Sequence, residues 1–411
     1  MRGGESINMN SSPPSFSLRR IALPAFGPSL LFSIGVGAIL PAIPLSARAL
    51  GASVPEAALV VTLIGVGSLV SNIPASLLTM RCGERWAMVA AAVLCLAAMA
   101  LCAWTSQRGV FAVAGVMVGA SQAVFGLARQ SYLTEAVPVE FRARALSTLG
   151  GVSRIGMFIG PFTAAAAIHV WGLSGAYVVG MAALLGAAVV AARVPDLVAP
   201  GTEGGDAPAG ASAAPSWRAI LRDHRRVFIT LGFGVMLVSA VRASRQAIIP
   251  LWADHLALAP SVAALIYGLS GGIDMLVFYP AGKVMDRKGR RWVAVPSMVV
   301  MGVALLLMPL TNGAITLLIA AAVLGFGNGI SSGLVMTLGA DHSPRPGRAH
   351  FLGVWRFMAD VGGSCGPALL SALAAGFTLG IGIVATGLLA LAGAAQLAYW
   401  IPRAASPPRD R

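Results

Sequence analysis

The chain has 411 residues, of which 57% are hydrophobic and 11% charged, with a formal net charge of +14. A soluble domain of this length needs a larger charged skin. A mean hydropathy of +0.81 excludes a disulfide scaffold and a disordered chain and, despite the basic balance, a nucleic-acid-binding domain. The composition is that of a polytopic membrane protein: with about 20 apolar residues per spanning helix, there is room for about a dozen spans.

In chain order, residues 1–20 are polar, rich in Ser, Pro and Gly, and read as a cytoplasmic tail. They lack the pattern of a secretory signal, so the apolar stretch that follows is expected to stay as an anchor. Twelve apolar stretches follow, centred near Phe32, Ile64, Cys95, Val118, Phe158, Gly180, Leu237, Ser270, Val300, Val323, Ala359 and Leu388. They predict a helical bundle over 21–193, a cytoplasmic linker rich in Ala, Gly and Pro over 194–226, a second bundle over 227–400 and a cytoplasmic tail over 401–411. With the N-terminus inside, only Arg48 and Arg108 fall outside, and Arg129, Arg154, Arg242, Arg245 and Arg356 fall within spans; every other basic residue is cytoplasmic. This positive-inside bias predicts that both termini are cytoplasmic, with the basic excess toward anionic lipid of the bilayer. Short loops and no targeting peptide suit the inner membrane of a bacterium. The four cysteines form no CxxC pair and are expected to be free thiols. No metal-ligand spacing occurs and no cofactor is expected. Without a GxxxxGK[ST] loop, ATP is not the expected energy source.

Comparing the chain with itself at an offset of 206 residues reveals a repeat. Ile43-Pro44-Leu45 returns as Ile249-Pro250-Leu251, Pro74-Ala75 as Pro280-Ala281, and Gly83, Arg85 and Trp86 as Gly289, Arg291 and Trp292. Gly156, Gly160 and Pro161 return as Gly362, Gly366 and Pro367. The gap-free offset makes the halves homologous six-helix units. An even number of spans makes the repeat parallel, an arrangement that suits alternating access around a midplane site.

The segment Gly282, Asp286, Arg287, Gly289, Arg290 and Arg291 resembles the signature loop between helices 8 and 9 of the major facilitator superfamily. Gly156, Gly160 and Pro161 resemble its helix 5 antiporter motif, and Gly35, Pro41 and Pro44 are similar to a pattern of its twelve-helix drug/metabolite:proton antiporter branch. The resemblance covers nearly the whole chain. It implies an all-α membrane protein, twelve transmembrane helices in two pseudo-symmetric six-helix bundles. In the signature loop, Gly282 would permit close helix approach and Gly289 a tight turn. Asp286 would latch onto the start of helix 5 near Ala145. The first-half copy has Met80 in place of the acid, so the matching latch is missing. Gly156, Gly160 and Pro161 would give helix 5 a small-residue face and a bend.

Charges at bilayer depth are costly and are usually paired or functional. Arg154 and Asp274 each lie about 13 Å from the cytoplasmic side, at 1.5 Å per residue. Helices 5 and 8 pack together in the resembled fold, so an Arg154–Asp274 ion pair is expected, either setting helix register or breaking when Asp274 is protonated. Asp360 stands at the repeat position of Arg154, and Arg356 one turn away is expected to pair with it; Asp360 is the second candidate proton carrier. Arg242 and Arg245 share a face of helix 7, which lines the cavity in the resembled fold. Paired guanidiniums suit a carboxylate or phosphate of a substrate. Arg129 is expected to snorkel toward the cytoplasm.

The expected function is secondary transport of a small organic solute by a monomer, as proton-coupled efflux (antiport), and not enzymatic catalysis. Helix 1 lacks the acid that many cation-drug antiporters carry, and Gly115 stands where the family often has Arg. Both departures favour a rival reading, uptake of an organic anion or zwitterion by symport or uniport. A non-transporting membrane sensor is the remote alternative.

Overall fold

The computed structural model describes residues 22–137, 139–194, 217–344 and 348–404. The expected tail 1–20, most of the linker 194–226 and most of the tail 401–411 lie outside the described residues. The described residues are helical throughout, without strands, and provide twelve helices long and apolar enough to cross a membrane.

Helix α1 (Phe26–Ala49) is interrupted at Pro41, which has no N–H to continue the hydrogen-bond ladder. The helical stretch Val54–Trp104 breaks at Gly83, where φ is 77°, and so divides into α2 (54–82) and α3 (84–104). Next come α4 (Arg108–Ala136), α5 (Val139–Trp171) and α6 (Ser174–Ala192). The second half comprises α7 (Arg225–His255), α8 (Pro260–Lys288), α9 (Arg291–Leu310), α10 (Ala314–His342), α11 (Arg348–Gly376) and α12 (Leu379–Arg403). Gly289, the repeat counterpart of Gly83, ends α8 with φ 92°. Both turns need a left-handed backbone that glycine adopts without a Cβ penalty.

The repeated glycine motif is a packing device. A Cβ on Gly156 would sit 2.6 Å from the Leu30 carbonyl oxygen, and one on Gly160 2.6 Å from the Ala38 nitrogen, so α5 lies directly on α1. Gly362 and Gly366 bring α11 equally close to the backbone of α7 at Met236 and Ala240. The helix α5 continues through Pro161. In lipid, association depends on such small-residue contacts, because lipid tails are as apolar as leucine. The outward faces match: Leu276, Ile315 and Val170 are 71%, 75% and 68% exposed, which suits hydrocarbon and not water. Across the halves, α5 packs on α8 and α2 on α11.

The signature loop departs from expectation. A Cβ on Gly282 would meet nothing within 4 Å, so this glycine does not serve close approach. Asp286 is exposed, and the side chains of 139–144 at the start of α5 lie outside the described residues. The visible anchor is Arg290, whose guanidinium donates to Asp341 of α10 at 2.7 and 3.2 Å and to the Met285 carbonyl at 3.1 Å. Its repeat counterpart Glu84 accepts from Ser131 of α4 at 3.1 Å. Each loop is thus tied to the fourth helix of its own half. Arg287 and Lys288 are exposed, while Arg291 begins α9.

Candidate functional site

The repeat brings α5, α7, α8 and α10 together around a cluster of embedded charges. Gly325 and Gly329 allow α10 to press on α8: a Cβ at Gly329 would lie 2.6 Å from the Asp274 carbonyl oxygen, and one at Gly325 would strike that of Ser270. The helical pattern of α10 then breaks at Ser331–Gly333, where Gly333 has φ 82°. The break keeps its local backbone hydrogen bonds, Ser331 and Ser332 N–H donating to the Gly327 and Gly329 carbonyls at 3.3 and 3.1 Å.

Asp274 sits at the centre with its side chain 14% exposed. Arg154 Nη1 of α5 lies 3.5 Å from Asp274 Oδ1, and Arg245 Nη2 of α7 lies 3.9 Å from Oδ2. The shortest contact comes from Asn328 of α10, whose Nδ2 donates to Asp274 Oδ2 at 2.5 Å. Arg154 also donates to Ser332 Oγ and stacks over the Phe278 ring at 4.3 Å. Arg245 donates to Ser270 Oγ at 3.2 Å and lies 5.6 Å from the Tyr267 ring centroid. Ser270 Oγ in turn donates a hydrogen bond to the Ala321 carbonyl at 2.6 Å. Arg242 faces the fields of Asp274, Arg154 and Arg245 without a hydrogen bond or ion pair among the described residues. Three guanidiniums therefore converge on one carboxylate.

The second embedded acid is arranged differently. Asp360 accepts a hydrogen bond from Asn72 Nδ2 of α2 at 3.2 Å. The ion pair expected between Arg356 and Asp360 does not close. Arg356 is exposed and reaches Asp360 only through its field, while the amide of α2 supplies the carboxylate's hydrogen bond. Arg129 does not snorkel: its Nη1 donates to Ser153 Oγ at 2.6 Å. Together with Phe32, Ser33, Gln122 and Met157 these two residues line a cavity of about 160 Å³. The residues that line this cavity come from α1, α4 and α5 of the first half.

The face opposite the basic loops is closed. Arg48 Nε of α1 meets Asp254 Oδ2 of α7 at 3.0 Å, and these two residues are 206 apart, the repeat offset itself. Repeat-equivalent residues in contact lie on the pseudo-twofold axis. Ser371 of α11 donates to the Pro55 carbonyl of α2 at 2.7 Å, another tie between the halves. Ile43, Ile248, Ile249 and Leu251 around the axis are at most 1% exposed.

Sequence reasoning did not single out Asn328, Tyr267, Ser270 or Ser332. A neutral polar residue in an apolar helix carries no signal of its own. The one available signal was Asn328 standing at the repeat position of Gln122, which places an amide in both fourth helices.

Similar structures share this architecture. A bacterial homolog of the human lysosomal transporter Spinster, in an inward-facing and unoccupied conformation, superposes with a TM-score of 0.76 at 14% identity, covering 97% of this chain and 100% of that one. The nucleoside transporter NupG gives 0.70 at 14% identity, covering 92% and 99%. A POT family transporter in complex with a thioalcohol-conjugated peptide gives 0.76 at 11%, covering 94% and 97%. No curated protein matches in sequence. The Major Facilitator Superfamily matches residues 28–244 and again 231–411. The chain belongs to the Major Facilitator Superfamily and is a multi-pass membrane transporter of that type, not an enzyme.

Proposed function

We propose that this transporter carries a small organic anion together with a proton, with Arg242 and Arg245 holding the anion and Asp274 carrying the proton. The observation behind the proposal is the imbalance of charge: two guanidiniums lie within 4 Å of one carboxylate, and the field of a third, Arg242, reaches it. At bilayer depth, uncompensated positive charge is costly. An anionic group is what such a site lacks, and a guanidinium pair binds carboxylate or phosphate with directed hydrogen bonds.

The same charges bear on the coupling. Ionised Asp274 competes with an anion for Arg154 and Arg245. A proton on Asp274 releases both, so protonation strengthens anion binding. By reciprocity the anion strengthens proton binding to the same degree. Positive coupling sends proton and anion in the same direction, whereas an antiporter needs each to exclude the other. The charge arrangement therefore supports symport over the export by proton exchange that the antiporter-branch resemblance implies. Asp360, held by Asn72, is the second candidate for the proton.

In this reading the basic face is cytoplasmic in a bacterial inner membrane, and the protein works as a monomer. The bundles 21–193 and 227–400 rock as rigid units. Arg48–Asp254 holds the outer side shut while the cavity beside Gln122 and Arg129 is open to the inside. An inward proton gradient would then drive uptake.

The test is accumulation in proteoliposomes under an inward proton gradient, with a panel of labelled monocarboxylates, dicarboxylates and phosphate esters. Gradient-driven accumulation of an anion is expected, with loss in Arg242→Ala. In Asp274→Asn, downhill exchange should persist while accumulation against a gradient is lost. Transport restricted to organic cations and indifferent to both arginines would sink the proposal.

A further inference from the structure

We propose that Asn328 is the hydrogen-bond partner of Asp274 in both of its charge states, turning its amide over when the carboxylate takes up a proton. The inference rests on the reading of Asp274 as the proton carrier and adds the residue that makes protonation tolerable there.

Asn328 is 4% exposed, and its Nδ2 supplies the one hydrogen bond that Asp274 makes among the described residues. The guanidiniums at 3.5 and 3.9 Å act as charges, beyond good hydrogen-bond length. Asp274 Oδ1 and Asn328 Oδ1 are both buried and without a hydrogen bond. A primary amide carries donors on one side and an acceptor on the other, and half a turn about its last bond exchanges them. With Asp274 ionised, the amide N–H donates to the carboxylate. A proton arriving from water forms an O–H bond on that carboxylate, and the amide oxygen, now turned inward, accepts from it.

No neighbouring cation can take that second role. Arg154 from α5 and Arg242 and Arg245 from α7 are donors only. Tyr267, on α8 itself, feels the charge of Asp274 but makes no hydrogen bond to it. The Ser332 hydroxyl of α10 is engaged by Arg154. Arg48, which α1 brings toward the far end of α8, is paired with Asp254. The only charged residue of α9 is Arg291, at its cytoplasmic end. Without Asn328 the neutral acid would keep a buried O–H unpaired, which is costly.

The experiment is an infrared pH titration of the purified full-length protein, with protons as the only probe. The Asp274 carboxylic-acid band is identified as the one lost in Asp274→Asn. In the wild type, the side-chain amide band of Asn328 is expected to shift with the same midpoint. Asn328→Leu should move the acid carbonyl band toward that of a free acid. Asn328→Ser, whose hydroxyl both donates and accepts, should restore the wild-type band. An acid band in Asn328→Leu identical to wild type, or a wild-type amide band that ignores the titration, would show that Asn328 serves only the carboxylate. That result overturns this inference and leaves the proton-carrier reading standing. Absence of any titrating band lost in Asp274→Asn overturns the reading itself, and this inference with it.

Discussion

At positions related by the repeat, Val36, Ile39, Ser68, Gln122 and Gly126 of the first half stand where Arg242, Arg245, Asp274, Asn328 and Ser332 stand in the second. The scaffold is duplicated: Gly156 and Gly160 press α5 on α1 as Gly362 and Gly366 press α11 on α7. The side chains near the centre are not. The second half supplies Asp274, Arg242 and Arg245, while the first supplies Arg154 at the seam and, around its cavity, Arg129 and a lone amide, Gln122, whose Nε2 is buried without a partner. The seams between halves diverge in the same way. Arg154 faces Phe278 and Asp274 across α5 and α8, while its counterpart Asp360 faces Asn72, the counterpart of Phe278, across α11 and α2. Duplicated backbones can thus keep one rocking geometry while each half reads a different part of a substrate. In the proposed reading, the second half holds the anionic group and the first holds the organic body.

That contrast can be broken at its strongest point first. Removing one partner of a buried pair leaves a charge uncompensated. Asp274→Ala, which leaves the guanidiniums without a counter-charge, is expected to destabilise the protein by about 3 kcal/mol, and Arg154→Ala by less, because Arg245 still faces the carboxylate; both are read as thermal unfolding in detergent. Exchanging the two residues should recover most of that loss; a swap as unstable as the singles would mean that the seam does not depend on this pair. Next, Arg242→Ala should weaken binding of the transported anion roughly thirtyfold, the value of a charge-assisted hydrogen bond or two, as measured by calorimetry.

A smaller effect is expected on the apolar side. Met157→Ala at the cavity beside Gln122 should weaken binding about fivefold, in proportion to the apolar bulk lost, and without changing the pH dependence. A change in pH dependence would argue against dividing the labour between halves. The smallest effect belongs to the pair on the axis. Arg48 and Asp254 are 35% and 36% exposed at the side chain, so Arg48→Ala should favour opening of that face only about threefold. The readout is labelling of a cysteine placed at Ala47 in a cysteine-free background. Reversing both charges should restore closure, because the axis places the residues equivalently.

Much of the architecture is legible in the chain because lipid leaves few options. Every backbone polar group must be satisfied within the segment, so a run of apolar residues of spanning length is a helix. The site is legible only in part. Arg154 and Asp274 lie at equal depth, and the fold sets them 3.5 Å apart. Helical spacing suggested that Arg356 would reach Asp360, but Asn72 from another helix reaches it instead. Spacing reports neighbours within one helix, and the competitor came from across the seam. Arg129 looked like a snorkelling residue by depth alone, yet Ser153 on α5 holds it inside.

The amino-acid sequence by itself determined the helical spans, the 206-residue repeat, the glycine faces and the depth of each embedded charge, since hydropathy and periodicity act locally along the chain. Which charges share a partner was decided only by tertiary structure. The choice of Asn328 for Asp274, of Asn72 for Asp360 and of Arg48 for Asp254 depends on helices far apart in the chain being pressed together. Hydrogen bonds and ion pairs reach only a few ångströms, so their partners are selected by packing.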